Sequence, residues 1–139
     1  MQLTQHTDYG LRLLIVLARK GGTVSLPDFA ADQGLSYHHV AKVAQALVRE
    51  GFIVSRRGRS GGVELARAPE DITVGAVVRV LERGMRLADC AHCALRDDCT
   101  TSGILAEALA AFMDVLDRRT LADAARPGEP AFAGWTLDR

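Results

Sequence analysis

The sequence SLPDFAADQGLSYHHVAKVAQALVRE, residues 25–50, contains two helix signals separated by a tight turn. Ser25 is a typical N-cap with Pro27 in the first turn, and Gly34 is a typical stop. Ser36 is predicted to cap the next helix, which extends to Glu50. Its apolar residues recur at the i, i+3, i+4, i+7 spacing of one buried face: Val40, Val43, Ala44 and Leu47. This pattern is typical of a helix-turn-helix, whose second helix presents its first turn to the major groove of DNA.

The next stretch, GFIVSRRGRSGGVELA at residues 51–66, places two short β-prone runs on either side of a glycine-rich turn. Such a pattern predicts a β-hairpin. Arg56, Arg57 and Arg59 concentrate positive charge near its tip, as expected of a wing that contacts phosphates or enters the minor groove. A merely solvated hairpin is the alternative, but the position directly after a helix-turn-helix favours the wing. The predicted fold class is therefore mainly α with a small β-hairpin wing.

Polar side chains near the start of the second helix of this pair are predicted to face outward. The candidate contacts to bases and phosphates are Tyr37, His38, His39 and Lys42. The three wing arginines are the candidate contacts to the DNA backbone or minor groove.

Length and charge limit the class of protein. A chain of 139 residues with 48% apolar content is about one domain with a real core. Its 17 Lys+Arg balance 17 Asp+Glu, which excludes a uniformly basic coat. Residues 1–67 carry nine Lys/Arg against five Asp/Glu, a net of +4, and residues 68–139 carry eight against twelve, a net of −4. We therefore expect only the first half to meet a polyanion.

A further helix is predicted at residues 8–19, ended by Gly21 and Gly22. No apolar run approaches the roughly 20 residues that cross a bilayer, and no signal peptide is visible near the N-terminus. The sequence therefore predicts no membrane partner, and its odd number of cysteines in one short window favours the reducing cytoplasm.

The second half is predicted to hold a short helix capped by Thr73 and ending near Gly84, then a cysteine-containing loop, then a longer helix at about residues 102–118. That helix has a broad apolar stripe. Because the core is assigned to the first half, this apolar stripe is predicted to pack against the same helix of a second protomer in a homodimer. Packing of the stripe within the monomer is the alternative. Thr120 is predicted to cap a last short helix.

These elements divide the chain into four parts. Residues 1–67 form the winged helix-turn-helix, 68–100 a linker helix and the cysteine loop, 101–125 the dimerisation helix and a short helix, and 126–139 a tail that contains Trp135.

All three cysteines, Cys90, Cys93 and Cys99, lie within ten residues. An odd number in one window argues against a secreted disulfide framework, and thiolates select zinc, copper(I) or iron–sulfur. Three thiolates need a fourth ligand. His92 is a candidate for zinc, whereas a non-cysteine ligand on an iron–sulfur cluster suits a sensor. A structural zinc site that only folds the loop stays open. Since no nucleotide-binding glycine motif or activated nucleophile is visible, no enzyme is predicted.

Five segments resemble the Rrf-type bacterial transcription regulators: residues 1–12, 36–43, 57–62, 74–82 and 116–123. Within that family the chain is most similar to its nitric-oxide-sensitive repressors and more distantly to an iron–sulfur regulator. The resemblance implies a homodimeric winged-helix repressor, bound to double-stranded operator DNA with inverted half-sites. It also implies that the operator is released when nitric oxide nitrosylates an iron–sulfur cluster or the cluster is lost.

The resemblance also implies the cluster ligands. The three cysteines match the family's thiolates, and Asp8 matches the position from which the other protomer completes a [4Fe–4S] site in some members. The more distant regulator uses a histidine where this chain has Ser102. Only two residues separate Cys90 from Cys93, where the family usually has about five or more, so His92 remains an alternative ligand. A [4Fe–4S] cluster is favoured, and a regulator that senses iron or cluster status through a [2Fe–2S] centre is the alternative.

Overall fold

The computed structural model describes residues 2–128, which contain six α-helices and one β-hairpin. The elements are α1 (Gln5–Lys20), α2 (Leu26–Gln33), α3 (Tyr37–Arg49), β1 (Ile53–Arg56), β2 (Gly62–Leu65), α4 (Val74–Leu81), α5 (Thr101–Asp117) and α6 (Leu121–Ala125). Short 3₁₀ turns lie at Pro69–Asp71, Cys90–His92 and Arg96–Asp98. Of the predicted tail at residues 126–139, the part from residue 129 onward, with Trp135, lies outside the described residues.

Helix α1 begins at Gln5, three residues before its predicted start. Thr4 is the N-cap, and its hydroxyl accepts a hydrogen bond from the N–H of Thr7 at 3.4 Å. The prediction overlooked this cap and treated Asp8 as the first helical residue. The predicted stop is confirmed, because Gly21 ends the helix with a φ of 66°.

The helix-turn-helix is confirmed. The Ser25 hydroxyl accepts the N–H of Asp28 at 3.4 Å to start α2, and Gly34 ends it in the left-handed conformation. Ser36 occupies the N-cap position of α3, as predicted, but its side chain makes no capping hydrogen bond. That part of the prediction is wrong, because the start of α3 is exposed and its first N–H groups are left for solvent.

The wing is an antiparallel hairpin that pairs Ile53 with Leu65 and Arg56 with Gly62. Val24, in the link between α1 and α2, extends this pairing, since it exchanges hydrogen bonds of 2.8 and 2.9 Å with Val63. A Cβ atom at Gly62 would overlap the Val24 carbonyl, so this approach requires glycine.

The core draws on both halves of the chain, which corrects the assumption that it lies in the first half. Ile72 before α4, Val77 on α4 and Leu121 on α6 are fully buried with the α1 and α3 side chains. Helices α4 and α6 reach this core because both pack on α1. A short backbone bridge holds them together, with the Leu121 N–H donating to the Ile72 carbonyl at 2.7 Å.

Helix α5 projects from this core and has no buried residue within the single chain. It is held at its C-terminal end, where Arg79 of α4 forms a bidentate ion pair with Asp117, both N–O distances being 2.5 Å. Gly75 lies beneath that carboxylate, and a Cβ atom there would overlap it. The predicted cap of α6 is confirmed as a capping box between Thr120 and Asp123.

Candidate DNA-binding surface and cysteine loop

The polar side chains predicted to contact DNA lie on the exposed side of α3. Tyr37 is 54% exposed, and His38, His39 and Lys42 are also exposed. The opposite side of α3 is buried, which fixes the rotation of the helix about its own axis. These four side chains are therefore available to a ligand that approaches α3 from outside.

The three arginines of the wing are not equivalent. Arg56 is paired with Glu64 on the opposite strand, with the Nη2 and Oε1 atoms 2.5 Å apart. The hydrogen bond from Arg56 holds the pKa of Glu64 below its ordinary value. Within residues 2–128, no carboxylate lies within ion-pair distance of Arg57 or Arg59. The free positive charge of the wing thus resides on Arg57 and Arg59.

A groove of about 430 Å³ separates the first turn of α1 from α3. Its polar lining includes two of the predicted side chains, His39 and Lys42, together with His6 and Tyr9 from α1. Sequence reasoning missed His6, because nothing in its spacing distinguishes it from an ordinary surface histidine. The packing of α1 across α3 brings it to this surface.

The three cysteines lie on the loop between α4 and α5, all with free thiols. Cys93 is exposed, whereas Cys90 and Cys99 are partly covered. Across residues 2–128, the structure gathers no three His, Cys, Asp or Glu side chains at a distance that would hold one metal ion. Within these described residues the thiols do not converge on one point, and Cys90 and Cys99 lie at or beside separate 3₁₀ turns with local backbone hydrogen bonds.

The chemistry of the donor set nevertheless fits a thiolate-bound group. Cys99 lies just before α5, where hydrogen bonds from the N–H groups of Ser102 and Thr101 lower the pKa of its thiol. A thiolate is the form that binds soft metals and clusters. Sequence spacing indicated the ligand type, and the helix start adds a physical reason for one thiol to ionise.

The two candidates for the fourth ligand both have partners in the single chain. The Asp8 carboxylate forms a bidentate ion pair with Arg12 at 2.7 and 3.0 Å, and its side chain is 43% exposed. His92 Nδ1 lies 3.0 Å from an Asp89 oxygen, an arrangement that orients the ring as in many metal-binding histidines. Among the described residues, neither belongs to a group of three or more side chains that could hold a metal ion.

Helix-turn-helix, wing and projecting helix together define a winged-helix transcriptional regulator. Residues 3–127 match the Rrf2 family, described as an iron-dependent transcriptional regulator, and the chain belongs to that family. It is a regulator and not an enzyme. Within the described part of the chain, no helix has the length and apolar character required to span a membrane.

Known relatives agree with this assignment. An HTH-type transcriptional regulator NsrR from Halalkalibacterium halodurans is 42% identical over 130 residues, which cover 88% of this chain and 89% of the relative. The structure of CymR, the global cysteine regulator of B. subtilis, has a TM-score of 0.76 at 31% identity, covering 90% of this chain and 96% of that one. The structure of T. potens IscR has a TM-score of 0.73 at 32% identity, covering 89% and 85%.

Proposed function

We propose that the chain is a homodimeric repressor that binds operator DNA and senses nitric oxide through an iron–sulfur cluster on its cysteine loop. The observation that carries the proposal is the position of this loop. It contains all three cysteines and connects α4, which packs in the DNA-binding core, to α5, which has no buried residue of its own. A change in the conformation of this loop would therefore alter how the two DNA-binding units of a dimer are held relative to each other.

The DNA-binding surface is the exposed side of α3 together with the free wing arginines. Tyr37, His38, His39 and Lys42 would meet base edges and phosphates, while Arg57 and Arg59 provide the charge for the backbone or minor groove. Arg56 belongs to the predicted set as well, but its pairing with Glu64 reduces the charge that it can offer. Two such surfaces in a symmetric dimer suit inverted half-sites.

The dimer surface is an exposed apolar stripe along α5. Ile104 is 62% exposed and Val115 is 52% exposed, and the two lie three helical turns apart on one face. Ala108 and Ala111 lie between them on the same face and are also exposed. Because small residues allow close approach, a second α5 is the cover that fits this stripe.

Cys90, Cys93 and Cys99 would hold the cluster, with Asp8 of the other protomer as the fourth ligand and His92 as the alternative. When bound, a cluster supplies iron sites with which nitric oxide reacts. The chain contributes a thiolate stabilised at the start of α5 and an exposed carboxylate on α1. A [4Fe–4S] cluster is the favoured form, and the cytoplasm is the compartment in which the thiols that it needs stay reduced. The four predicted parts of the chain, with boundaries at residues 67, 100 and 125, then differ in function and are not separate folding units, because residues from both halves share one core.

The test is a gel-shift titration under anaerobic conditions with reconstituted and cluster-free protein. We expect the loaded dimer to bind operator DNA more tightly, with an affinity that falls steeply with salt, and nitric oxide to release it. Equal binding by both forms, unchanged by nitric oxide, would contradict the proposal.

A second candidate function is sensing of iron or cluster status through a [2Fe–2S] centre, which the iron-dependent character of the family favours. Anaerobic absorption and Mössbauer spectra with iron and sulfide analysis distinguish the two cluster forms. Zinc without iron in the same preparations would instead support the structural zinc alternative, for which the His92–Asp89 contact is the relevant observation.

A further inference from the structure

Glu82, the residue directly after α4, accepts hydrogen bonds from the start of α1, which lies far from it in the sequence. One of its carboxylate oxygens, Oε2, accepts three hydrogen bonds, from the Thr4 N–H at 3.0 Å, the Thr4 hydroxyl at 2.9 Å and the Thr7 hydroxyl at 2.5 Å. These contacts join residues 75 and 78 positions apart. Hydrogen bonds to a charged acceptor are stronger than neutral ones.

Thr7 shows that this contact is more than a surface interaction. Its relative exposure is 0%, and it is the one buried polar residue among residues 2–128. Its hydroxyl has the Glu82 carboxylate and the Thr4 hydroxyl as partners. If the carboxylate were removed, the buried hydroxyl would be left without its charged acceptor. The position of Glu82 and the first turn of α1 are therefore tightly linked.

The next residue connects the same point to α3. Arg83 Nη2 lies 3.5 Å from the Oε1 atom of Glu50, the C-cap residue of α3. Directly afterwards Gly84 adopts a positive φ of 72°, and the chain leaves toward the cysteine loop. Glu82 thus contacts the first turn of α1, which carries Asp8, and Arg83 contacts the end of α3, the helix proposed to contact DNA.

We propose that Glu82 is a positioning residue that couples the cysteine loop and the Asp8-bearing turn of α1 to the DNA-binding helix α3. This deepens the proposed function, on which it rests, by naming the intramolecular contact through which the state of the loop alters operator binding. Glu82 touches neither DNA nor the cluster in this role. It fixes the relative positions of the start of α1, the end of α4 and, through Arg83, the end of α3.

The first experiment uses the cluster-free full chain and amide hydrogen exchange. Glu82→Gln keeps the shape of the side chain but removes its charge. We expect exchange about threefold faster or more in the first turn of α1 and also at Glu50 and Gly51, within the range of coupling carried by side-chain networks. Glu70→Gln, an exposed site on a separate 3₁₀ turn, is the matched control and should change neither region. Faster exchange in α1 alone would overturn the coupling.

The second experiment measures the ratio of operator affinities of the loaded and cluster-free forms. Thr7→Val removes the hydroxyl that donates to Glu82 at nearly constant volume, whereas Thr7→Ser retains it. We expect the ratio to fall by about threefold or more in Glu82→Gln and Thr7→Val and to be restored in Thr7→Ser. A purely structural role would lower both affinities together and leave the ratio unchanged.

The outcomes separate this inference from the function on which it rests. If the wild-type protein shows no difference between its two forms, the proposed function fails. If the wild type shows the difference and both variants keep the same ratio, only the role of Glu82 is wrong.

Discussion

Arg56 and Glu64 neutralise each other across the wing, with Nη2 and Oε1 2.5 Å apart. Two residues that the sequence places eight positions apart thus become diagonal neighbours on one face of the hairpin, since Glu64 pairs with Val54. The three arginines of the wing therefore divide into one paired and two free side chains.

This division predicts unequal effects on DNA binding. Arg57→Ala and Arg59→Ala should each weaken operator binding and lower the slope of log K against log salt by about 0.9 for each phosphate that is no longer neutralised. Arg56→Ala should have a smaller effect, and Glu64→Gln should strengthen binding by releasing Arg56. Fluorescence anisotropy at several salt concentrations measures both quantities. Equal effects of all three arginine variants would show that DNA breaks the Arg56–Glu64 pair.

The Asp8–Arg12 pair predicts that Asp8 can be removed at little cost to the fold. Both side chains are more than two-fifths exposed, and exposed pairs four residues apart in a helix contribute about 0.3–0.5 kcal/mol. Asp8→Ala should therefore leave the unfolding midpoint of the cluster-free protein nearly unchanged while shortening the lifetime of the bound cluster. Asp32→Ala, an exposed carboxylate on α2, is the control. An unchanged visible spectrum and lifetime would remove Asp8 from the ligand set.

The lowered pKa of Cys99 predicts selective alkylation in the cluster-free protein. Because the thiolate is the reactive species, the rate of carbamidomethylation of Cys99 should persist at lower pH than that of a thiol with the ordinary pKa of about 9.0. Mass spectrometry of each cysteine across a pH series gives the profile. Thr101→Ala, which removes the side-chain part of the stabilisation, should move the profile of Cys99 toward higher pH. A Cys99 profile like that of a free thiol contradicts the described start of α5.

The contact between Gly75 and Asp117 predicts that α4 and α5 tolerate no side chain at their crossing. A Cβ atom at Gly75 would overlap the Asp117 carboxylate and approach its backbone nitrogen at 3.0 Å. Gly75→Ala should lower the free energy of unfolding by about 1–3 kcal/mol, as overpacked sites do. Gly103→Ala is the matched control, since its Cβ meets nothing within 4 Å and alanine favours the helix by about 1 kcal/mol. Urea denaturation of both variants measures these changes, and equal stabilities would contradict the crossing.

The contacts of Glu82 predict a defined dependence of stability on pH. Burial alone would raise its pKa, but the hydrogen bonds from Thr7 and Thr4 outweigh it, so the pKa lies below the ordinary 4.5. A carboxylate of this kind adds stability that is fully present above its unfolded pKa and is lost as the pH falls through its folded pKa. Glu82→Gln should therefore be less stable than the wild type at pH 7, with a difference that closes below about pH 4.5. Thermal unfolding across that range measures it, and a constant difference would contradict the assignment.

Local signals in the sequence predicted most of the elements, and contacts between distant residues could not be predicted in this way. Ser25 and Gly34 could be identified as the two ends of α2, because an N-cap and a left-handed glycine each form their hydrogen bonds within one helical turn. The contact of Glu82 with Thr7 spans 75 positions and depends on how α1 and α4 pack. The same packing places Ile72 and Leu121 in a core that was assigned to the first half of the chain.

The candidate site divides in the same manner. The outward face of α3 followed from its apolar period, whereas the pairing of Arg56 depended on the strand register. The cysteine spacing indicated thiolate chemistry but not the shape of the loop. A bound metal or cluster contributes to the folding of its own site, so the spacing alone does not determine the loop conformation.

The hydrogen bonds between Val24 and Val63 join the wing to the segment that leads into the helix pair. We therefore expect the wing and α3 to keep their relative positions when the cysteine loop changes. In the proposed dimer, a change in operator affinity would then come from a change in the angle and the separation between the two protomers. In the proposed repressor, sequence preference would therefore lie in the shape of each protomer's DNA-binding surface, and the signal would act on the spacing between the two protomers.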